Sequence, residues 1–126
     1  MTARTTYLTA AQVEAITDLI DEFGFIAAWV EDGKVYNDAK VYAIVLDRDA
    51  QAERIDRGFG DARLVTLAFE DIDAALVKIA EGSIYLPEPF VNAARVYCDN
   101  AYDADLDAEI ADCAIQIAVF GDVIFG

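Results

Sequence analysis

The sequence contains no histidine, one serine and two cysteines. Without histidine, the chain has no serine or cysteine triad of the kind that uses an imidazole base. Zinc sites that contain histidine are excluded as well, and two cysteines are too few for a four-cysteine site. Cys98 and Cys113 make no disulfide framework, and we expect buried free thiols. The side chains that remain available for catalysis are carboxylates, lysine, tyrosine and cysteine.

Basic residues are also scarce, with nine Lys and Arg against 24 Asp and Glu, for a net charge of -15. Residues 64–126 hold twelve acids and only two bases, Lys78 and Arg95. Because contacts to phosphate groups need Lys and Arg, we expect no direct binding to nucleic acid. The complementary partner for such a chain is a basic protein.

Long apolar runs are absent, and none reaches the length needed to span a bilayer. The first twelve residues lack the apolar core of a signal peptide, so we expect a soluble cytoplasmic protein without a membrane partner. Apolar residues still make up 56% of the 126 positions. That content suits one compact domain, 1–126, with a sizeable core. The apolar segment 119–126 should be buried in this core or in a homodimer.

The pattern of apolar residues predicts an α+β fold, in which a small antiparallel meander of three or four strands packs against about four helices. A hairpin turn is expected at Asp32-Gly33. For residues 115–124 the pattern does not decide between helix and strand. The predicted strands are 25–31, 34–36, 41–47 and 63–69. The predicted main helices are 10–23, 70–81, 89–98 and 105–120, with a short surface helix in 47–58.

Several polar residues fit helix ends. Thr9 and Gln12 form a capping-box pattern before the first helix, and Asp49 is predicted to cap the short surface helix. The first turn of helix 70–81 carries Glu70, Asp71 and Asp73, where the helix dipole favours negative charge. For helix 105–120, the predicted cap is Asp103 or Asp105.

The acidic stretch 99–113 has some features of a calcium loop. Asp103, Asp105 and Asp107 match the first, third and fifth positions of an EF-hand. Position six should be glycine and is Ala108, whereas position twelve should be glutamate and is Ala114. Because two decisive positions fail, we predict no metal site, and we expect no cofactor.

A catalytic site built on paired carboxylates is the main enzymatic alternative. Glu31, Asp32, Asp47 and Asp49 follow predicted strands and could line a cleft. Each of them also suits a turn or a helix cap, and the stretch 57–63 lacks the Lys-Ser/Thr of a phosphate-binding loop. We therefore expect the chain not to be an enzyme.

Two rows of carboxylates suggest a protein-binding surface instead. Glu14, Asp18 and Asp21 are spaced as one face of the first helix, and Asp105, Glu109 and Asp112 as one face of the last, with Gln116 continuing that stripe. Neighbouring side chains on a helix face lie about 5–6 Å apart at Cβ, and B-DNA carries one charge per ~3.4 Å of each strand. The candidate partner-binding residues are Glu14, Asp18, Asp21, Glu22, Asp99, Tyr102, Asp103, Asp105, Asp107, Glu109 and Asp112.

In size, charge and lack of catalytic motifs, the chain resembles phage inhibitors of host defence, such as anti-restriction and anti-CRISPR proteins. This resemblance lies in composition alone, and no site residues follow from it. It implies a non-enzymatic inhibitor that occupies the basic groove of a nucleic-acid-binding protein. The alternative is an acidic structural or housekeeping domain from a salt-adapted or phage source, in which the charge serves solubility. Mimicry requires the acids to be contiguous, whereas salt adaptation spreads them over every face.

Overall fold

The computed structural model describes residues 8–23, Val30 and residues 41–125. The described residues form an α+β fold with five α-helices and a two-stranded antiparallel sheet. None of the helices in these ranges is long and apolar enough to cross a membrane. In chain order the elements are α1 (Ala10–Phe23), β1 (Val41–Val45), α2 (Arg48–Asp56), β2 (Leu64–Ala68), α3 (Phe69–Glu81), α4 (Glu88–Asp99), a 3₁₀ turn (Ala101–Asp103) and α5 (Ala108–Phe120).

The first helix has the predicted bounds and the predicted capping box. The backbone N–H of Thr9 donates to Oε1 of Gln12 at 2.7 Å, and the N–H of Gln12 donates to Oγ1 of Thr9 at 3.2 Å. These two bonds satisfy backbone donors that a helix start leaves without partners. The apolar positions of α1 face the core, with Ile16, Leu19, Ile20 and Phe23 buried.

The sheet pairs β1 with β2 in antiparallel register, so that Tyr42 lies opposite Leu67 and Ile44 opposite Val65. These four side chains are buried, as alternation along a strand with one covered face requires. The predicted strands 41–47 and 63–69 are therefore confirmed, with slightly shorter bounds. The predicted strands 25–31 and 34–36 and the turn at Asp32-Gly33 lie outside the described residues. The exception is Val30, which forms an isolated antiparallel bridge with Leu46.

The cap predicted for the short surface helix was wrong. Asp47 caps α2, because its Oδ1 accepts the backbone N–H of Ala50 at 2.8 Å, whereas Asp49 lies in the first helical turn. A cap residue must lie just outside the helix so that its side chain can turn back to the free N–H groups. Glu53 and Arg57, four residues apart, form an ion pair with 2.8 Å between Oε1 and Nε.

The last helix begins three residues later than predicted. Asp107, and not Asp103 or Asp105, is the cap of α5, and its Oδ1 accepts the backbone N–H of Ile110 at 3.0 Å. Asp103 belongs to the 3₁₀ turn, which Asn100 caps through the N–H of Tyr102. The uncertain stretch after residue 115 is helical up to Phe120, and the helix ends at Gly121 with φ of 80°.

The core is centred on α5, which packs against α1, α2, α3 and β2. Nine of its thirteen residues are buried, so the predicted polar stripe along this helix is wrong at Gln116. That side chain is completely buried. Burial of an amide is tolerable only when it is hydrogen-bonded, and Gln116 has four partners.

The C-terminal tail provides three of those partners. Oε1 of Gln116 accepts the N–H groups of Ile124 and Phe125 at 2.9 and 2.8 Å, and its Nε2 donates to the carbonyl of Phe125 at 3.0 Å. The fourth partner is Oδ2 of Asp112, 3.1 Å from Nε2. The ring of Phe125 meets that of Phe120 edge-on at 5.7 Å. The apolar tail therefore packs on its own helix, and the predicted homodimer stays a prediction.

The position of the α5 cap can be tested with two neighbouring aspartates. Asp107→Ala should lower the free energy of unfolding by about 1 kcal/mol, the usual cost of losing an N-cap. Asp105→Ala, the matched control, should change it by less than about 0.5 kcal/mol, because exposed residues outside such features contribute little. Urea unfolding followed by circular dichroism measures both. Equal losses for the two variants would contradict a helix that begins at Ala108.

Candidate functional site

The acidic row predicted on α1 lies on the solvent side of that helix. Glu14, Asp18, Asp21 and Glu22 are all exposed. Their spacing of four and three residues keeps Glu14, Asp18 and Asp21 close to one line along the helix. The row is therefore accessible to a partner, as the sequence predicted.

The second predicted row has a different geometry. Asp105 precedes α5 in a non-helical segment, so it cannot form one helical stripe with Glu109 and Asp112. Glu109 is exposed in the first turn of α5, whereas Asp112 is only partly exposed and accepts a hydrogen bond from Gln116. The stripe fails because Asp107 fixes the helix start between Asp105 and Glu109.

The acids of this second set instead follow the connection from α4 to α5. Asp99 ends α4, Asp103 closes the 3₁₀ turn, Asp105 lies in the following segment and Asp107 caps α5. All four side chains are exposed. Tyr102, within the same connection, is 72% exposed. The connection thus presents its charges on a surface segment and not on a helix face.

The two predicted sets lie on elements that touch. The helix α1 packs against both the 3₁₀ turn and α5. A cavity of about 340 Å³ is lined by residues from the start of α1, including Gln12, and by Asp99 and Tyr102. The first turn of α1 has no acidic residue of its own, and Asp99 places a carboxylate beside this positive end of the helix dipole.

The described ranges that carry these acids contain no basic residue. Residues 8–23 contain four acids and residues 96–125 contain seven, with no Lys or Arg in either range. Among the described bases, Arg57 pairs with Glu53, and the Nε atoms of Arg63 and Arg95 donate to backbone carbonyls. We call the following nine residues the acidic surface: Glu14, Asp18, Asp21, Glu22, Asp99, Asp103, Asp105, Asp107 and Glu109.

A groove of about 280 Å³ runs beside the acidic surface, between α4 and the connection to α5. One wall is apolar, with Phe90, Ala93 and Val96 from α4. The other wall has Ile110 and three carboxylates, those of Asp103, Asp105 and Asp107. Sequence reasoning missed the apolar wall, although its signal was visible. Each of its three residues precedes a buried residue of α4, so that helix is apolar on two adjacent sides.

A buried hydrogen bond fixes α4, and with it the groove. The hydroxyl of Tyr97 donates to Oδ1 of Asp73 on α3 at 2.7 Å, and both side chains are buried. The sequence placed Asp73 in the first turn of its helix, which was wrong because α3 begins at Phe69 and its first turn has only Glu70 and Asp71 as acids. Burial and the neighbouring carboxylate raise the pKa of Tyr97 above its ordinary value. The phenol therefore remains a donor at every physiological pH.

The tyrosines of the described chain differ widely in exposure, which decides which of them can contact a partner. Tyr42 and Tyr97 are buried, whereas Tyr102 and Tyr85 are exposed, Tyr85 at 99%. Tyr85 belongs to the segment between α3 and α4, whereas the exposed Tyr102 lines the cavity beside Asp99, together with the buried Tyr97. Tyr102 is thus the tyrosine placed to contact a partner together with the carboxylates.

The chemistry of this arrangement is acceptance of hydrogen bonds and attraction of cations. In the part of the chain that the structure describes, no group of three or more His, Cys, Asp or Glu residues is arranged to hold a metal ion. The EF-hand pattern would also run through Ala108 and Ala114, which are helical. Of the carboxylates considered for catalysis, Glu31 and Asp32 lie outside the described residues. Asp47 serves as a cap and Asp49 lies in the first turn of α2.

Comparisons of the chain with protein-family models, with curated proteins and with solved structures found no match.

The prediction of buried thiols was right for Cys113 and wrong for Cys98, which is exposed and lines the cavity beside Asp99 and Tyr102. Partial burial raises the pKa of this thiol, and the carboxylates of Asp73, Asp99 and Glu81 raise it further. Burial and three acids on and before α5 raise the pKa of Cys113 to about 11. Both thiols therefore have less thiolate at neutral pH than an ordinary cysteine.

Thiol reactivity at Cys98 should report the charge of Asp99, one residue of the acidic surface. In a Cys113→Ala background at pH 8 and low salt, Asp99→Asn should speed alkylation by neutral iodoacetamide about two-fold, because removing a nearby charge favours the thiolate. Asp56→Asn, on α2, is the control and should leave the rate unchanged. Mass spectrometry of timed samples gives both rates. An unchanged or slower rate in Asp99→Asn would show that the carboxylate does not act on this thiol.

Proposed function

We propose that this protein is a non-enzymatic acidic inhibitor that binds the basic groove of a nucleic-acid-binding protein and competes there with nucleic acid. The observation that carries this proposal is the acidic surface, which lies on elements in mutual contact and within residue ranges that contain no base. A partner with a row of Lys and Arg is the complement of such a surface.

The spacing of the carboxylates supports competition with a phosphate backbone. On α1, Glu14 and Asp18 are separated by one helical turn, about 5–6 Å at Cβ. Ala104, between Asp103 and Asp105, has an extended backbone, and residues on either side of an extended residue are about 6.6 Å apart. Two charge steps on one B-DNA strand cover ~6.8 Å. A protein groove that contacts every second phosphate of a strand would find carboxylates at a similar interval.

A capture experiment tests this proposal. The immobilised protein is incubated with host lysate at about 0.1 M salt, and bound proteins are eluted either with about 1 M salt or with duplex DNA. We expect a nucleic-acid-binding protein that both eluents release, because screening at high salt weakens attraction between exposed charges. The captured protein should then lose binding to labelled nucleic acid when this chain is added.

Charge reversal on the acidic surface should abolish that competition. The test variant carries Asp103→Lys, Asp105→Lys and Glu109→Lys, all at exposed positions. The matched control carries Asp49→Lys, Asp56→Lys and Asp61→Lys, which change the net charge equally. Each set includes one acid from the first turn of a helix, Glu109 in α5 or Asp49 in α2. Asp112 is left intact because it bonds to Gln116.

We expect the test variant to lose at least about ten-fold in apparent affinity, as three charge contacts of roughly 0.5 kcal/mol each would give. The control variant should lose less than about three-fold. Competition titrations against the captured protein measure both, with thermal melts to verify folding. Equal losses in the two variants would show that net charge acts alone and that the acidic surface is not the binding site.

One observation favours a second function, an acidic structural or housekeeping domain whose charge serves solubility in salt. Exposed acids occur on every helix: Glu14 on α1, Asp56 on α2, Asp71 on α3, Glu88 on α4 and Glu109 on α5. High-salt proteins carry acids on all faces and rely on screening to offset repulsion.

Thermal melts with the same two reversal variants separate this alternative from inhibition. Under salt adaptation, the unfolding temperature rises steeply between about 0.1 and 2 M KCl. Both triple reversals then raise it equally at low salt, and no salt-released partner is captured. We expect instead that capture succeeds and that the two variants differ in binding. Capture of nothing basic, together with equal stabilisation, would overturn the inhibitor proposal.

Two finer features belong to the same proposal. An inhibitor of a host defence protein of the restriction or CRISPR kind would act in the host cytoplasm, and a phage source would fit that role.

A meander of three or four strands is supported by the bridge of Val30 to Leu46, which immediately follows β1.

A further inference from the structure

The groove between α4 and the connection to α5 combines two kinds of surface that rarely lie together. Val96, on the apolar wall, is 41% exposed, and Phe90 and Ala93 beside it are partly exposed. The opposite wall has the carboxylates of Asp103, Asp105 and Asp107. Among the described residues that line this groove there is no Lys or Arg, and Arg95 on α4 directs its Nε to the carbonyl of Ala80.

The three carboxylates occupy alternate positions of the connection, with Asp103 at the end of the 3₁₀ turn and Asp105 and Asp107 in the non-helical segment that follows. Ala104 has φ and ψ of -66° and 136°, and Asp107 has -78° and -179°, both in the extended region. Asp103, Asp105 and Asp107 all line the groove and therefore share one side of this connection. Their spacing is then about 6.6 Å per step.

The hydrogen bonds of these acids leave acceptor capacity facing the groove. Asp103 accepts one bond, from Nδ2 of Asn100, and Asp107 accepts one, from the N–H of Ile110. Within the described part of the chain, Asp105 has no hydrogen bond and no ion pair. A carboxylate can accept about four bonds, so most of the acceptor sites on this wall are open to a partner.

Lysine and arginine side chains match both walls at once. Their aliphatic stems can cover Phe90 and Val96 while the charged head reaches a carboxylate. An apolar segment would fit the apolar wall. On the other wall it would remove water from three carboxylates without pairing them, and this desolvation costs free energy. An anionic segment would be repelled. Charge complementarity therefore selects a basic occupant with long side chains.

We propose that this groove binds an extended segment of the partner protein with Lys or Arg at alternate positions. An extended strand repeats every ~6.6 Å on one side, which matches the interval between Asp103, Asp105 and Asp107. This inference rests on the proposed function, because the segment belongs to the basic partner. It specifies where on this chain the partner binds and which residue pattern the bound segment carries.

A synthetic peptide serves as the probe, since the partner itself is not needed to test the groove. The first peptide is a fluorescein-labelled heptamer that alternates serine and arginine, with three arginines in total. The second has the same composition with the three arginines adjacent. Fluorescence anisotropy at about 0.1 M salt gives the affinity of each for the full chain. We expect the alternating peptide to bind at least three-fold more tightly, because only its arginines share the interval of the carboxylates.

Four single variants then locate the binding site. Asp105→Asn should weaken binding of the alternating peptide about five-fold, through loss of a charge-assisted contact. Val96→Ser should weaken it about three-fold, through loss of apolar contact. The matched controls are Asp18→Asn, an acid of the acidic surface outside the groove, and Ile55→Ser, an exposed apolar residue of α2. Both controls should change the affinity by less than two-fold. If Val96→Ser reduces the thermal stability, Val96→Thr replaces it.

The outcomes separate this inference from the proposed function. Equal effects of Asp105→Asn and Asp18→Asn, or equal affinities of the two peptides, would overturn the groove while leaving a charge-driven inhibitor intact. Suppose that neither peptide binds although this chain still competes with duplex DNA for the captured partner. The groove proposal is then wrong, and the inhibitor proposal stands. If neither peptide binds and no basic partner is captured, both proposals fail.

Discussion

Burial of most of α5 is the constraint on which the rest of the structure depends. A chain with a net charge of -15 repels itself, and apolar burial must offset that repulsion. The central helix provides this through Ile110, Ile115, Ile117, Val119 and Phe120, all buried. Because four other elements pack around it, most acids of the described chain are displaced to the outer surface. Acidity outside and an apolar axis inside are therefore two aspects of one arrangement.

The start of this helix connects the core to the candidate site. Asp107 caps α5 and at the same time lines the groove. One carboxylate thus fixes where the buried helix begins and where the exposed acidic segment ends. The buried bond between Tyr97 and Asp73 holds the opposite wall, since α4 carries both Tyr97 and the apolar residues of the groove. The acidic surface lies on a framework that is anchored at both walls.

The features that the sequence predicted correctly are those with a local cause. The bounds of α1 follow from apolar spacing and from the capping box of Thr9 and Gln12, which involve neighbours along the chain. The exposure of Glu14 and Asp18 follows from the same periodicity. The α+β class and the two strands that contain Tyr42 and Leu67 were also predictable from pattern, and the structure confirms them.

The predictions that failed depended on competition between candidates or on tertiary contacts. Asp47 and Asp49, like Asp105 and Asp107, are chemically equivalent caps, and only the packing of each helix selects one. The burial of Gln116 and Asp73 depends on partners eight or more residues away in sequence, Ile124 and Tyr97, which periodicity does not reveal. The groove forms only where α4 meets the connection to α5, so it could not be predicted from either segment alone. The second apolar side of α4 could be read from the sequence.

The way in which Gln116 holds the tail has a consequence for how this sequence can diverge. Its bonds to the tail involve only backbone atoms of Ile124 and Phe125, so they depend on the length of the turn after Gly121 and not on the identity of the residues that follow. Evolution can exchange Ile124 for another apolar residue without losing these bonds. An insertion or deletion between Gly121 and Ile124 would shift every one of them out of register. Among descendants of this chain, the residue types of the tail should vary, whereas the number of residues between Gly121 and Ile124 should stay constant.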